Sequence, residues 1–403
     1  MTTITIRQYV PSASIELAPE ALSALIAGFA NRIEIRSAPA GGFTLTGTNH
    51  VGVIRVDDLD VIVQPKIPPL SVLWMLGFVA KPLKVDPSDF PFDVEPGLLD
   101  VLARLFARQT ELVIRRGLYR EYVECDENLR FVRGRVVPLD DLRANQGLHH
   151  QVVCRYAELT SDVLHNRILR TVTELLLRFW YRLLRVREWL AWDAAHLAEV
   201  SAPPIGERDL AALRYGRLNA HYEAVHGLAR LILSNLTFHF AAGTQMAPSF
   251  LLNMDDIYES FVRRLAEDVA RPMGLRLRAG ERFHLDEGGR VVVNPDVVMV
   301  DGQRTRIAID AKYKRKDPEA DVYQALAYAK ALGLRRVALL YPAGEAVEPT
   351  THRIRNDETA VFVRTIPVGH GGAGFADLEQ RAELAMRALL EELLGQHASE
   401  AAA

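Results

Sequence analysis

Alternating apolar and polar positions along Val51–Val56 and Leu59–Val63 predict paired strands near the N-terminus. A helical spacing of apolar residues covers Leu98–Ile114, beyond a proline-rich break at Lys81–Pro96 that predicts a loop. Leu164–Leu184 and Leu210–Ser234 repeat apolar residues at helix spacing, with the connector Ser201–Gly206 between them. The expected organisation is therefore α+β and multidomain. It has a β-rich region over residues 1–145, a helical region over 146–250 and an α/β region over 251–403. Val72–Ala80 is apolar but short and reads as a buried helix.

The last region has the most regular pattern. Met254–Met273 carries an apolar stripe of Ile257, Phe261, Val262, Leu265 and Val269, which predicts an amphipathic helix. Val291–Val300 and Arg306–Tyr313 are β-branched, half-alternating segments that predict two strands turning near Asp301-Gly302. A helix follows, with Asp317 as N-cap, Pro318 in its first turn and Gly333 at its end. Val337–Tyr341 then predicts another strand. A final helix, Ala376–Leu394, follows the glycine-rich Gly371–Gly374, and the alanine-rich tail past His397 is expected to be disordered.

These two strands carry the candidate chemistry. Pro295-Asp296 lies on the first and Asp310-Ala311-Lys312 on the second. Strand side chains repeat every second residue, so Asp310 and Lys312 share a face. Two carboxylates and a lysine at this spacing can assemble a divalent-metal site for phosphodiester hydrolysis. A three-residue loop, Gly302–Arg304, sets Asp296 directly across from Asp310, and a bulge at Pro295 is a second way to shift the register. The chain is rich in arginine, and its lysines are confined to Lys66, Lys81, Lys84, Lys312, Lys314, Lys316 and Lys330. Keeping lysine at 312 is consistent with a need for a compact ammonium on a flexible stem. Gln324 and Tyr328 stand one helical turn apart, and Glu259 lies beside the apolar stripe of its helix, within reach of the site.

The order helix, strand, strand, helix, strand resembles the PD-(D/E)xK nuclease core, with Pro295-Asp296 and Asp310-Ala311-Lys312 as its signature. Gln324-Ala-Leu-Ala-Tyr328 is similar to the QxxxY motif of the RecB-like branch, and Glu259 occupies the place of an acidic residue on the first core helix. Upstream, Gly117–Tyr122, Glu127–Leu129, Arg133–Arg135, Cys154–Tyr156 with Asp162, Asn166–Leu169 and Arg217–Tyr222 resemble the characteristic block of McrC proteins. Gly52–Arg55 and Gln64–Ile67 are similar to the N-terminal β-rich region of that family. The resemblance spans most of residues 45–345. It implies the nuclease subunit of a modification-dependent restriction system of the McrBC type. Implied with it are Mg²⁺ held by Asp296, Asp310, the Ala311 carbonyl and Glu259, with Lys312 and Gln324 completing the catalytic set. Asn166 and Arg167 read as packing and hydrogen-bonding anchors.

Composition agrees. The 403 residues are 49% hydrophobic and 25% charged, which suits an ordinary soluble protein with proper cores. Cys125 and Cys154 give no disulfide framework and fit a reducing cytoplasm, and neither a signal-peptide pattern nor a membrane-length apolar run is expected. A net charge of −3 predicts weak intrinsic affinity for DNA, even with basic groups at Lys314–Lys316, Arg335-Arg336, Arg276 and Arg278. With no phosphate-binding loop in the chain, DNA delivery falls to something else. The resemblance implies a McrB-like AAA+ GTPase ring that recognises modified DNA and docks on residues 1–145; Arg36, Asn49 and His50, beside loops in that region, are candidates to reach the ring's nucleotide. Two alternatives are a non-catalytic adaptor that activates a ring NTPase and a stand-alone RecB-like nuclease.

Overall fold

A computed structural model describes residues 2–39, 41–56, 58–79, 97–148, 150–240, 246–278, 282–313, 318–344, 347–369 and 375–395. The expected loop at 81–96, the Lys314–Lys316 cluster, the Asp317 cap, the glycine run at 371–374 and the tail lie outside these residues. The chain divides into two compact units, residues 1–101 with 237–403, and residues 102–236. This differs from the expected three-way division, because strands on either side of the helical region belong to one sheet.

The first unit begins with β1 (Thr2–Arg7), α1 (Pro19–Phe29), β2 (Ile33–Ser37), β3 (Phe43–Gly47), β4 (His50–Val56), β5 (Leu59–Gln64) and α2 (Pro69–Val79). Leu25, Phe29, Leu45, Ile54 and Val61 form the core of this part. Apolar on nearly every side, α2 is buried along its length as its composition predicts.

The second unit takes in most of α3 (Leu98–Arg116), then β6 (Glu121–Leu129), β7 (Arg135–Val136), α4 (Pro138–Asn145), β8 (Val152–Thr160), α5 (Leu164–Leu176), α6 (Leu184–His196), α7 (Glu207–Ala212) and α8 (Glu223–Ser234). The periodic run 164–184 thus yields one helix that stops at Leu176 before a second begins. The run 210–234 is likewise broken into α7, a 3-10 turn and α8. Strands β6, β8 and β7 form a small sheet, and large apolar side chains stay exposed on and around it, among them Tyr122, Phe131, Val132, Leu139 and Leu148. Asn166 is a hub of this unit. It donates to the carbonyls of Tyr119 (2.8 Å) and Ser161 (2.6 Å) and accepts from the Tyr222 hydroxyl (2.6 Å). Arg167 grips Asp162 at 2.8 and 3.1 Å. Both are anchors.

The first unit resumes with β9 (Leu236–Phe240) and β10 (Met246–Asn253), which complete a sheet of order β1-β5-β4-β10-β9. Gly52 makes that closure possible. A Cβ there would lie 2.0 Å from the Phe250 carbonyl oxygen, and its φ of +138° disfavours any other residue. Ser249 Oγ accepts from the Arg55 amide at 3.0 Å, and Arg55 pairs with buried Asp60 at 2.7 and 2.8 Å. Strand β10 runs straight into α9 (Met254–Ala270), capped by Asn253, whose side chain accepts from the Asp255 amide at 3.1 Å. Asn49 donates to Asn253 (3.0 Å) and Asp255 (2.8 Å), so it serves this junction.

There follow β11 (Arg276–Leu277), β12 (Phe283–His284), β13 (Val292–Val293), β14 (Val297–Asp301), β15 (Arg304–Ala311), α10 (Pro318–Leu332), β16 (Arg336–Pro342), β17 (Thr350–Arg353), β18 (Ala360–Ile366) and α11 (Phe375–Leu394). A mixed sheet of order β11-β14-β15-β16-β18-β17 results, with β14 antiparallel to β15, and β15, β16 and β18 parallel. Helix α10 packs its Ala325 and Ala329 on Ala308, Val337, Leu339 and Val361. Helices α9 and α11 pack on each other and on the sheet.

Candidate active site

Register decides whether the two aspartates meet. Asp301 pairs with Arg304, so the turn is the two-residue Gly302-Gln303 rather than the expected three-residue loop. Opposite Met299 and Val300, β15 carries one extra residue, Arg306, a bulge that shifts the pairing by one, and Val297 comes to face Ile309. Asp296, one step beyond, arrives opposite Asp310. The expected juxtaposition is therefore reached by another route, a bulge at Arg306 in β15 rather than a longer loop or a distortion at Pro295.

Strand β15 puts Asp310 beside Leu339 of β16, on the face covered by α10. The Ala311 amide donates to Asp296 Oδ2 at 2.7 Å, and Arg263 of α9 donates to the Asp296 carbonyl at 3.1 Å. Lys312 Nζ stands 2.7 Å from Asp310 Oδ2 as an ion pair and donates to Gln324 Oε1 at 2.9 Å. Gln324 in turn donates to the Tyr328 hydroxyl at 2.5 Å. The helical spacing of 324 and 328 thus becomes a chain of polar contacts ending on the lysine.

The electrostatics follow from burial. Asp310 is 3% exposed. Desolvation, reinforced by the Asp310 charge, pushes the Asp296 carboxyl up to about 8 against the opposing Ala311 N–H. Asp310 is raised as well, by burial first, with Lys312 pulling the other way. Burial would lower the Lys312 ammonium, but Asp310, Asp321 and Asp296 together hold it above its ordinary value. Half-buried Glu259 is raised by desolvation and by Asp256, Asp255 and Asp310, so it feels the site's charge. Among the described residues no three His, Cys, Asp or Glu side chains group closely enough to cage an ion.

This donor set fits a hard dication. Two buried, mutually repelling carboxylates gain from a positive charge between them, and Mg²⁺ keeps several waters, so it needs few protein ligands. Asp296 and Asp310 would hold it.

Two contributors escaped the sequence. Asp321, one turn before Gln324 on α10, accepts from Tyr341 at 2.6 Å and adds negative charge beside Lys312. Arg263, one turn after Glu259 on α9, holds the backbone of Asp296. Helical spacing from residues already singled out was the available signal. Of the candidate partner contacts, Arg36 is exposed and paired with Glu34 at 3.0 Å, and Asn49 is engaged within α9's cap. His50 is lowered by burial and by Arg32.

A family model described as McrBC 5-methylcytosine restriction system component matches residues 45–342, more than half of the chain. Comparison with curated proteins finds no match. Among solved structures, the fold is similar to a chain in the half-complex from a tetradecameric assembly of Thermococcus gammatolerans McrB AAA+ hexamers with bound McrC. That similarity has a TM-score of 0.69 at 19% identity and covers 96% of this chain and 100% of that one. The cryo-EM structure of the Thermococcus gammatolerans McrBC complex matches at TM-score 0.48 and 22% identity, over 66% of this chain and 87% of that one. A shared fold at such identity adds the architecture, while the match along the sequence settles descent: this chain belongs to the family of McrBC 5-methylcytosine restriction system components.

Proposed function

We propose that this protein is the Mg²⁺-dependent DNA endonuclease subunit of a McrBC-like modification-dependent restriction system, working with a McrB-like AAA+ GTPase ring. The observation that carries the reading is the convergence of Asp296, Asp310 and Lys312 at the end of the β14–β15 pair. The element order α9, β14, β15, α10, β16 supports reading this part of the chain as a PD-(D/E)xK core.

When bound, the ion would polarise the scissile phosphate and lower the pKa of a coordinated water. The protein's own groups do the rest. Asp296 is oriented by the Ala311 amide, which leaves its other oxygen for coordination. The Ala311 carbonyl is the expected further ligand, with Glu259 acting through water. Lys312 is held as an ammonium by the carboxylates around it, which suits a donor to the charge developing on phosphate oxygens. Gln324, braced by Tyr328, sets the direction of that ammonium.

The partner follows from charge and surface. A net charge of −3 gives little grip on a polyanion, so DNA must be presented by another component. The exposed apolar side chains around β6 and β8 supply a docking surface of the kind a ring would cover. The family match and the McrB-bound structure of similar fold support this reading.

The test is to incubate the protein with Mg²⁺ and modified DNA, with and without a candidate GTPase ring. Cleavage that needs both supports the subunit role, cleavage by this chain alone points to a stand-alone nuclease, and GTPase stimulation without cleavage points to an adaptor. Unchanged cleavage by Asp310→Ala would remove the assigned site.

A further inference from the structure

Strand β15 ends at Ala311, so Lys312 lies one residue beyond its pairing with β16, with its amide still donating to the Leu340 carbonyl at 2.9 Å. Past that bond the sheet no longer restrains the backbone, yet Lys312 must keep its ammonium between Asp310 and Gln324. Restraint comes from the other end of the sequence. Lys66 Nζ donates to the Tyr313 carbonyl and stands 4.0 Å from the centroid of the Tyr313 ring. The Tyr313 hydroxyl donates to Gln8 Oε1 at 3.1 Å, and the same oxygen accepts from the Lys66 amide at 3.2 Å. Gln8 is fixed in turn. Its side-chain amide donates to the Thr48 carbonyl at 3.1 Å and its backbone amide to the Gln64 carbonyl at 3.0 Å. Gln8 and Tyr313 are each only 2% exposed.

We infer that Lys66 is a positioning residue for Lys312: by gripping Tyr313 it makes the ends of β1 and β5, in the N-terminal sheet, part of the nuclease site. This rests on the reading of Lys312 as the catalytic ammonium. The chemistry of the grip is specific to a cation. A lysine or arginine satisfies both the carbonyl and the ring face, whereas an apolar side chain of equal length cannot donate to the carbonyl and brings no charge to the ring. Three of the seven lysines lie N-terminal to the nuclease core, and this one has its nitrogen committed to the residue that follows Lys312. A displacement at the ends of β1 or β5 is therefore transmitted to the ammonium through one carbonyl and one ring.

The test compares Lys66→Met, Lys66→Arg and Tyr313→Leu in the full chain. Two quantities are read: acylation of Lys312 by an amine-reactive ester, followed by mass spectrometry, and steady-state cleavage with the partner ring present. Lys330, ion-paired with Asp357, serves as the internal reference. In Lys66→Met and Tyr313→Leu, labelling of Lys312 relative to Lys330 should rise severalfold. The same variants should lose kcat about tenfold or more, with KM for DNA and Mg²⁺ affinity unchanged. Lys66→Arg should restore both. Labelling of Lys312 at the wild-type rate in folded Lys66→Met and Tyr313→Leu would overturn the inference. Labelling is read without cleavage. Faster labelling in a protein that cuts no DNA would uphold the positioning role and refute the nuclease reading instead.

Discussion

The Ala311 amide donates to Asp296 Oδ2 at 2.7 Å, which ties the strand carrying Asp310 and Lys312 directly to the first aspartate. The bond holds two acidic groups together although their charges, once desolvated, repel. Ionising both carboxyls together is therefore costly, and a cation between them would offset that cost.

Replacing Asp310 with Asn should therefore raise the melting temperature in chelator while abolishing cleavage. It should also remove most of the rise in melting temperature that Mg²⁺ is expected to give the parent. Thermal scans with and without Mg²⁺ read both effects. An unchanged Mg²⁺ response would place the ion elsewhere.

Lys312→Ala should lower cleavage about 10²–10³-fold, the scale of one lost transition-state donor. Gln324→Leu leaves the ammonium in place but removes its second partner, so a loss nearer roughly tenfold is expected, with unchanged folding. Single-turnover kinetics distinguish the two. Equal losses would make Gln324 more than an orienting group.

Asp60 is 2% exposed and paired with Arg55 in the N-terminal sheet. Asp60→Ala leaves a buried guanidinium without its counter-ion and should cost about 3–5 kcal/mol in chemical denaturation. A cost below about 1 kcal/mol would mean that Arg55 finds water or another acceptor.

Asp193 of α6 is 1% exposed, neither of its oxygens accepts a hydrogen bond, and it walls a cavity of about 570 Å³ with Trp189 and Trp192. Burial, with Glu111 nearby, pushes its carboxyl up to about 8. Between about pH 4 and 8 the folded state keeps a proton that the unfolded chain has released, so its contribution to stability falls as pH rises through that window. Asp193→Asn should flatten this fall and stabilise the protein at pH 8, measured by denaturation at several pH values. His226, lowered by burial to about 4, acts in the opposite sense, weakening the fold as pH drops from about 6.5 towards 4.

Much of the site was legible because its signals are local. The strand alternation put Asp310 and Lys312 on one face, the i, i+4 spacing joined Gln324 to Tyr328, and the buried stripe of α9 followed from residues 257–269. The helical runs 164–184 and 210–234 read less well. Periodicity shows which residues face a core, but it does not show where a chain breaks to turn back.

By itself the sequence determined the two acidic strands, the lysine that follows the second and their family, since motif order and side-chain parity are properties of the chain. Tertiary structure alone decided how these parts meet. The bulge at Arg306 depends on how β15 lies against its neighbours. The return of β10 to the sheet of β1, β5 and β4 joins residues some two hundred positions apart, and only packing makes Gln8 and Lys66 neighbours of Tyr313. Contacts at that separation leave no periodicity to read, because they are fixed by which buried surfaces fit together.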